Sequence, residues 1–136
     1  MINKPANILV IRSVKSELKK VENFIKEVFA YHSFPDSCYN KVLLCISEGT
    51  INSIVHGNKE DRRKKVELNV DCKTHLISVT ITDEGEGFDH QIIPDPTKTE
   101  NLHKESGRGI HIIKSLSKHF EFNETGNSMY FQIECK

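Results

Sequence analysis

The chain has 136 residues, 37% hydrophobic and 28% charged, a balance that excludes wholesale disorder and suits one globular domain over residues 1–136. Lysine plus arginine and aspartate plus glutamate number 19 each, so the formal net charge is zero, which argues against a protein built to grip nucleic acid or an anionic membrane. No stretch reaches the apolar length of a membrane span, and no signal-peptide core follows Met1-Ile2-Asn3-Lys4-Pro5, so a cytoplasmic protein is expected.

Taken in order, Asn7 to Arg12 is a short apolar run suited to a strand. Leu18, Val21, Ile25 and Val28 then recur at helical spacing behind a cap at Ser13 or Ser16, with Lys15, Lys19, Lys20 and Lys26 on the wet side. Phe34-Pro35-Asp36-Ser37 breaks this helix, and Asp36 or Ser37 caps a second one running to about His56, with Gly57 in the C-cap position that favours glycine. Asn58 to Lys65 is a charged connector. Two strands of period-two alternation follow, Val66 to Cys72 and Ile77 to Thr82, joined by a hairpin turn at Lys73-Thr74-His75. A long segment containing Pro94 and Pro96 runs to Ser106 and reads as a lid. The chain closes with a helix carrying Ile110, Ile113 and Leu116, then strands His119 to Thr125 and Ser128 to Cys135. The four cysteines, Cys38, Cys45, Cys72 and Cys135, show no Cys-x-x-Cys pair and read as reduced, mostly buried thiols.

Three polar features need a common account. Glu48, Asn52 and His56 stand four residues apart, so they form one stripe on a mostly apolar helix, and polar groups buried there need partners. Asp83 follows Ile77, Val79 and Ile81 in step, so its carboxylate points to the covered face of the sheet. Ser106-Gly107-Arg108-Gly109 opens a helix, and a helix N-terminus offers free N–H groups and partial positive charge to a phosphate. Asn52 offers a neutral oxygen suited to Mg²⁺, Asp83 can accept from the exocyclic amine of adenine, and Arg108 adds charge for phosphate. Together these parts describe a site for Mg-ATP. A P-loop is excluded, because no Gly-x-x-x-x-Gly-Lys-Ser/Thr run occurs.

In these residues the chain resembles the GHKL (Bergerat-fold) ATPases. Glu48-x-x-x-Asn52-x-x-x-His56 looks like the family's N-box, Asp83-Glu84-Gly85-Glu86-Gly87-Phe88 like its first glycine box, and Ser106-Gly107-Arg108-Gly109-Ile110 like its second. Within that family the chain is similar to the small anti-sigma factor serine kinases of the RsbW/SpoIIAB type, in Glu48 to Gly57 and in Pro94-Asp95-Pro96-Thr97 followed by Glu100-Asn101-Leu102. The resemblance implies an α+β two-layer sandwich, with helices on one face of a mixed, largely antiparallel sheet. It implies that Asn52 coordinates Mg²⁺, Asp83 binds the adenine amine, and Gly85 and Gly87 let the chain pass the nucleotide. Gly107, Arg108 and Gly109 would hold the phosphates, and Glu48 would be the general base for a serine or threonine hydroxyl of a partner. His56 reads as structural. The implied function is an ATP-dependent protein serine/threonine kinase that phosphorylates a STAS-domain anti-anti-sigma protein and binds a sigma factor, commonly as a homodimer. Its rivals are a nucleotide-switched binding module without phosphotransfer and the kinase of a STAS sensory complex that involves no sigma factor.

Overall fold

The computed structural model describes residues 6–85 and 105–135. Gly87, Phe88 and the lid expected between Pro94 and Leu102 lie outside them. Strand β1 (Ile8–Arg12) leads through a 3₁₀ turn (Lys15–Glu17) into helix α1 (Leu18–His32) and then α2 (Asp36–Asn52). A turn of π-helix (Ser53–Gly57) continues α2, followed by β2 (Lys65–Lys73), β3 (Leu76–Asp83), α3 (Glu105–Leu116), β4 (His119–Phe122) and β5 (Ser128–Glu134). The strands form one sheet in the order β1-β2-β3-β5-β4. Every described pairing is antiparallel, so the largely antiparallel expectation holds, and its mixed component has no pairing among the described residues.

Alternation explains the layers. Val66, Leu68 and Val70 of β2, Ile77, Val79 and Ile81 of β3, and Met129, Phe131 and Ile133 of β5 are buried on one face. They share a core with Val21, Phe24, Ile25 and Val28 of α1, with Val42, Cys45 and Ile46 of α2, and with Ile113 of α3. On the other face Glu67, Asn69 and Asp71 are exposed, as two-sided sheets with one covered side require. The β2–β3 register sets Lys73 opposite Leu76, leaving Thr74 and His75 as a two-residue hairpin loop.

The expected caps are not there. Glu17 stands at the N-cap of α1 and Pro35 at that of α2, neither with a side-chain capping bond. Ser13 instead directs its hydroxyl 3.4 Å to the Ile54 carbonyl oxygen, tying the end of β1 to the π turn. A cap contributes ~1 kcal/mol, whereas full burial of a Val or Ile side chain contributes about 1.5–3 kcal/mol. With Val42 at 1% exposure and Ile46 at 0%, packing holds α2 in place.

The reading of all four cysteines as thiols is overturned for two of them. Cys38 and Cys135 form a disulfide, their Cα atoms 5.6 Å apart, while Cys45 and Cys72 are free. Spacing could not show this: the pair is 97 residues apart in sequence and meets because the first turn of α2 lies beside the end of β5. A crosslink over so long a loop restricts the unfolded chain, with a typical stabilisation of about 2–4 kcal/mol. Denaturant unfolding with and without reductant should differ by this order, and a Cys38→Ser, Cys135→Ser double variant should not respond to reductant.

Candidate functional site

The site begins with where α2 lies on the sheet. Gly49 faces β3 and β5 so closely that a Cβ there would stand 2.7 Å from Ile81 Cδ1 and 3.0 Å from Met129 Sδ. Glycine lets the helix settle on the sheet at this point, carrying its neighbours Glu48 and Asn52 with it. α3 packs against α2, and a Cβ on Gly109 would lie 2.9 Å from Glu48 Oε2. That glycine therefore makes room for the carboxylate.

Between the two helices is a cavity of about 320 Å³ lined by Glu48, Ile51, Asn52, His56, Arg108, Gly109 and Ile112. The structure thus brings together four sequence-derived candidates, Glu48, Asn52, Arg108 and Gly109, from two elements. Glu48 is half-buried and Arg108 exposed. Gly107 lies within the first turn of α3, where backbone N–H groups have no intrahelical partner. His56, assigned a structural role from sequence, is exposed and forms part of the cavity wall. Its spacing of four from Asn52 was the available signal. Ile51 and Ile112, which add apolar walls, had no such signal.

Asn52 is 6% exposed, and its Oδ1 is buried with no hydrogen-bond partner. A buried acceptor without a partner costs free energy, and its place in the cavity wall fits a ligand that supplies one. Among the described residues no group of three or more His, Cys, Asp or Glu side chains could hold a metal ion. A cation here would take one neutral protein oxygen from Asn52, which fits a hard ion that keeps most of its waters and binds phosphate oxygens.

Asp83 does not line this cavity. It ends the buried row of β3, is 7% exposed, and lies against the π turn at Gly57. Gly57 is the reason it fits. The expected C-cap role fails: Gly57 closes the π turn, Asn58 occupies the C-cap, and among the described residues Gly126 is the glycine with a left-handed φ, 81°. A Cβ on Gly57 would collide with the Asp83 carboxylate, and one on Gly85 would collide with the Gly57 carbonyl oxygen. Two backbone segments, the π turn and the turn that leaves β3, therefore meet at this point at glycine distances. Gly85 N–H donates to Asp83 Oδ1 at 2.8 Å.

Burial raises the Asp83 carboxyl above its ordinary pKa, opposed by the Gly85 N–H, the Ser53 hydroxyl and the charge of Lys64. Ser53 Oγ is buried without a hydrogen bond of good geometry, so it acts on Asp83 as a nearby dipole rather than a formed bond. An acceptor carboxylate at the end of a covered row, with room made around it by two glycines, can recognise a donor group of a flat ligand.

No curated protein sequence matches the chain. Among solved structures, the RsbU and RsbW domains of Rv1364c from Mycobacterium tuberculosis superpose with a TM-score of 0.60 at 12% identity, over 98% of this chain and 33% of that one. At that identity the likeness is one of fold, and this chain spans about a third of the other's length. The sequence itself fits the pattern of the histidine kinase-like ATPase domain from residue 11 to residue 133. The chain belongs to the histidine kinase-like ATPase domain family.

Proposed function

We propose that this chain is an ATP-binding anti-sigma regulatory factor with serine/threonine protein kinase activity toward a STAS-domain partner. The observation that carries the reading is the single cavity in which Glu48, Asn52, Arg108 and Gly109 converge, with Asn52 Oδ1 buried and unpartnered. The RsbW domain named in the structural neighbour supports the regulatory half of the reading. A sigma factor and a second copy of the chain belong to the same proposal as further partners.

The division of labour follows from residue chemistry. Bound Mg-ATP supplies the phosphoryl group. Asn52 holds the cation through its neutral oxygen, and Arg108 with the N–H groups of the first turn of α3 neutralises phosphate charge. Glu48 accepts the proton of the partner's hydroxyl. Asp83 selects the adenine through its amine. Phosphoryl transfer depends mainly on positioning and charge neutralisation, so this set is sufficient.

The decisive experiment incubates the chain with labelled ATP and a STAS-domain protein carrying a central serine. Label should pass to the serine, and Glu48→Gln should lower the rate by about 10²–10⁴-fold while leaving ATP affinity unchanged. Binding of ATP without any transfer would leave only a nucleotide-switched binding module. In calorimetric titrations Asn52→Ala should remove the Mg²⁺ dependence of ATP binding.

Asp83 carries a pH dependence. Because its folded-state pKa is raised, its contribution to stability is complete below the ordinary value of 3.8 and is lost as pH rises through the raised value. Asp83→Asn stays neutral and keeps an oxygen for the Gly85 N–H, so its melting temperature at pH 7 should equal or exceed that of the parent. Its ATP affinity should nonetheless fall about tenfold or more, as loss of a buried charged acceptor entails. The parent's ATP affinity should weaken on acidification before the range of an ordinary aspartate is reached, and the variant's should not.

A further inference from the structure

Asn58 has no role in the site as described, yet it is only 1% exposed. It follows Gly57 directly, and its own N–H donates to the Ser53 carbonyl oxygen at 2.8 Å, closing the π turn. Both ends of its carboxamide are used. Nδ2 donates to the Lys65 carbonyl oxygen at 2.9 Å, and Oδ1 accepts from the Glu84 N–H at 2.8 Å. The assignment of its two ends is unambiguous, because one partner is a backbone donor and the other a backbone acceptor.

These two bonds bridge the strand start at Lys65 and the turn that leaves β3. Val66 pairs with Asp83 in the sheet, so Lys65 and Glu84 are the first residues beyond the last β2–β3 pair. Their backbones need a partner where the ladder stops, and Asn58 is inserted as that partner. The Glu84 side chain reaches back to the Lys65 N–H, and Asp83 N–H donates to the Asn127 carbonyl oxygen at 2.9 Å. The main chain on both sides of the Asp83 side chain is thereby fixed, on one side by Asn127 and on the other by Asn58.

We infer that Asn58 is a positioning residue for adenine recognition: it clamps the Asp83-Glu84-Gly85 turn against the π turn and so sets where the Asp83 carboxylate points. The inference rests on the proposed role of Asp83 and assigns the specificity of that site to a residue that touches no ligand. Removing the clamp frees the Glu84 N–H and lets the turn rotate, so the carboxylate no longer meets the amine. The cavity between α2 and α3, which binds the metal and phosphates, is built without Asn58 and keeps its function.

The test compares ATP with purine riboside triphosphate, which lacks the exocyclic amine, by calorimetry in Mg²⁺ at a temperature where circular dichroism shows each variant folded. The parent should prefer ATP by about tenfold or more. Asn58→Ala should reduce that preference to near one, leaving affinity for purine riboside triphosphate unchanged. Asn58→Ser keeps a polar group that is too short to span both backbone partners; it should behave alike and serves if the alanine variant does not fold. A folded variant of either kind that keeps the parent's preference, even with both affinities lowered together, overturns the role of Asn58 and leaves that of Asp83 standing. A parent with no preference refutes the adenine role of Asp83, and the positioning role with it.

Discussion

Much of this protein depends on one close approach, that of the π turn to the end of β3. An α-helix continued through Ser53–Gly57 would present its side chains in a different phase. The wider π turn brings the Gly57 backbone against Asp83 and Gly85, with no side chain between them. π-Bulges of this kind occur often at functional sites, where they carry a cost that a regular helix avoids. Here the bulge allows one continuous helical rod to carry three cavity-lining polar groups, Glu48, Asn52 and His56, and then end against the acceptor carboxylate.

The cavity obeys a different constraint. Glu48 and Asn52 are four residues apart on one helix, so their separation along the axis is about 6 Å, fixed by helix geometry. Their distance to Arg108 is a matter of how two helices pack, and Gly109 sets that approach by leaving space for Glu48 Oε2. The site thus combines one spacing intrinsic to a helix with one set by tertiary contact. The apolar core beneath α2, with Cys45, Ile46 and Ile54 fully buried, supplies the rigidity both require.

Repetition made most of the fold legible in the sequence. The alternation of β2 and β3 gave the covered face, and the same parity put Asp83 on it, where it is found buried. The four-residue stripe of Glu48, Asn52 and His56 faces one cavity, although His56 reads as structural from its sequence context. What sequence did not reveal depends on contacts between segments far apart in the chain. Gly57 looked like a cap because its local context suited one; its neighbour Asp83 is 26 positions away. Asn58 reads in sequence as the start of a charged connector, and only the end of the β2–β3 ladder shows why its side chain is buried. Ser13, Asp36 and Ser37 suited capping by residue type, but packing held the helices without them. The disulfide was hidden for the same reason of distance.

Gly49 has a consequence beyond its own packing. The β3–β5 surface beneath it acts as a bearing, and the glycine sets the thickness of the gap, so any side chain added there works as a shim under the whole rod. Such a shim would lift Glu48 and Asn52 together, preserving their mutual alignment while opening their distance to α3. The two groups are therefore mechanically one part, and drift in the sheet core reaches the site as a rigid displacement of that part, not as a loosening of either residue.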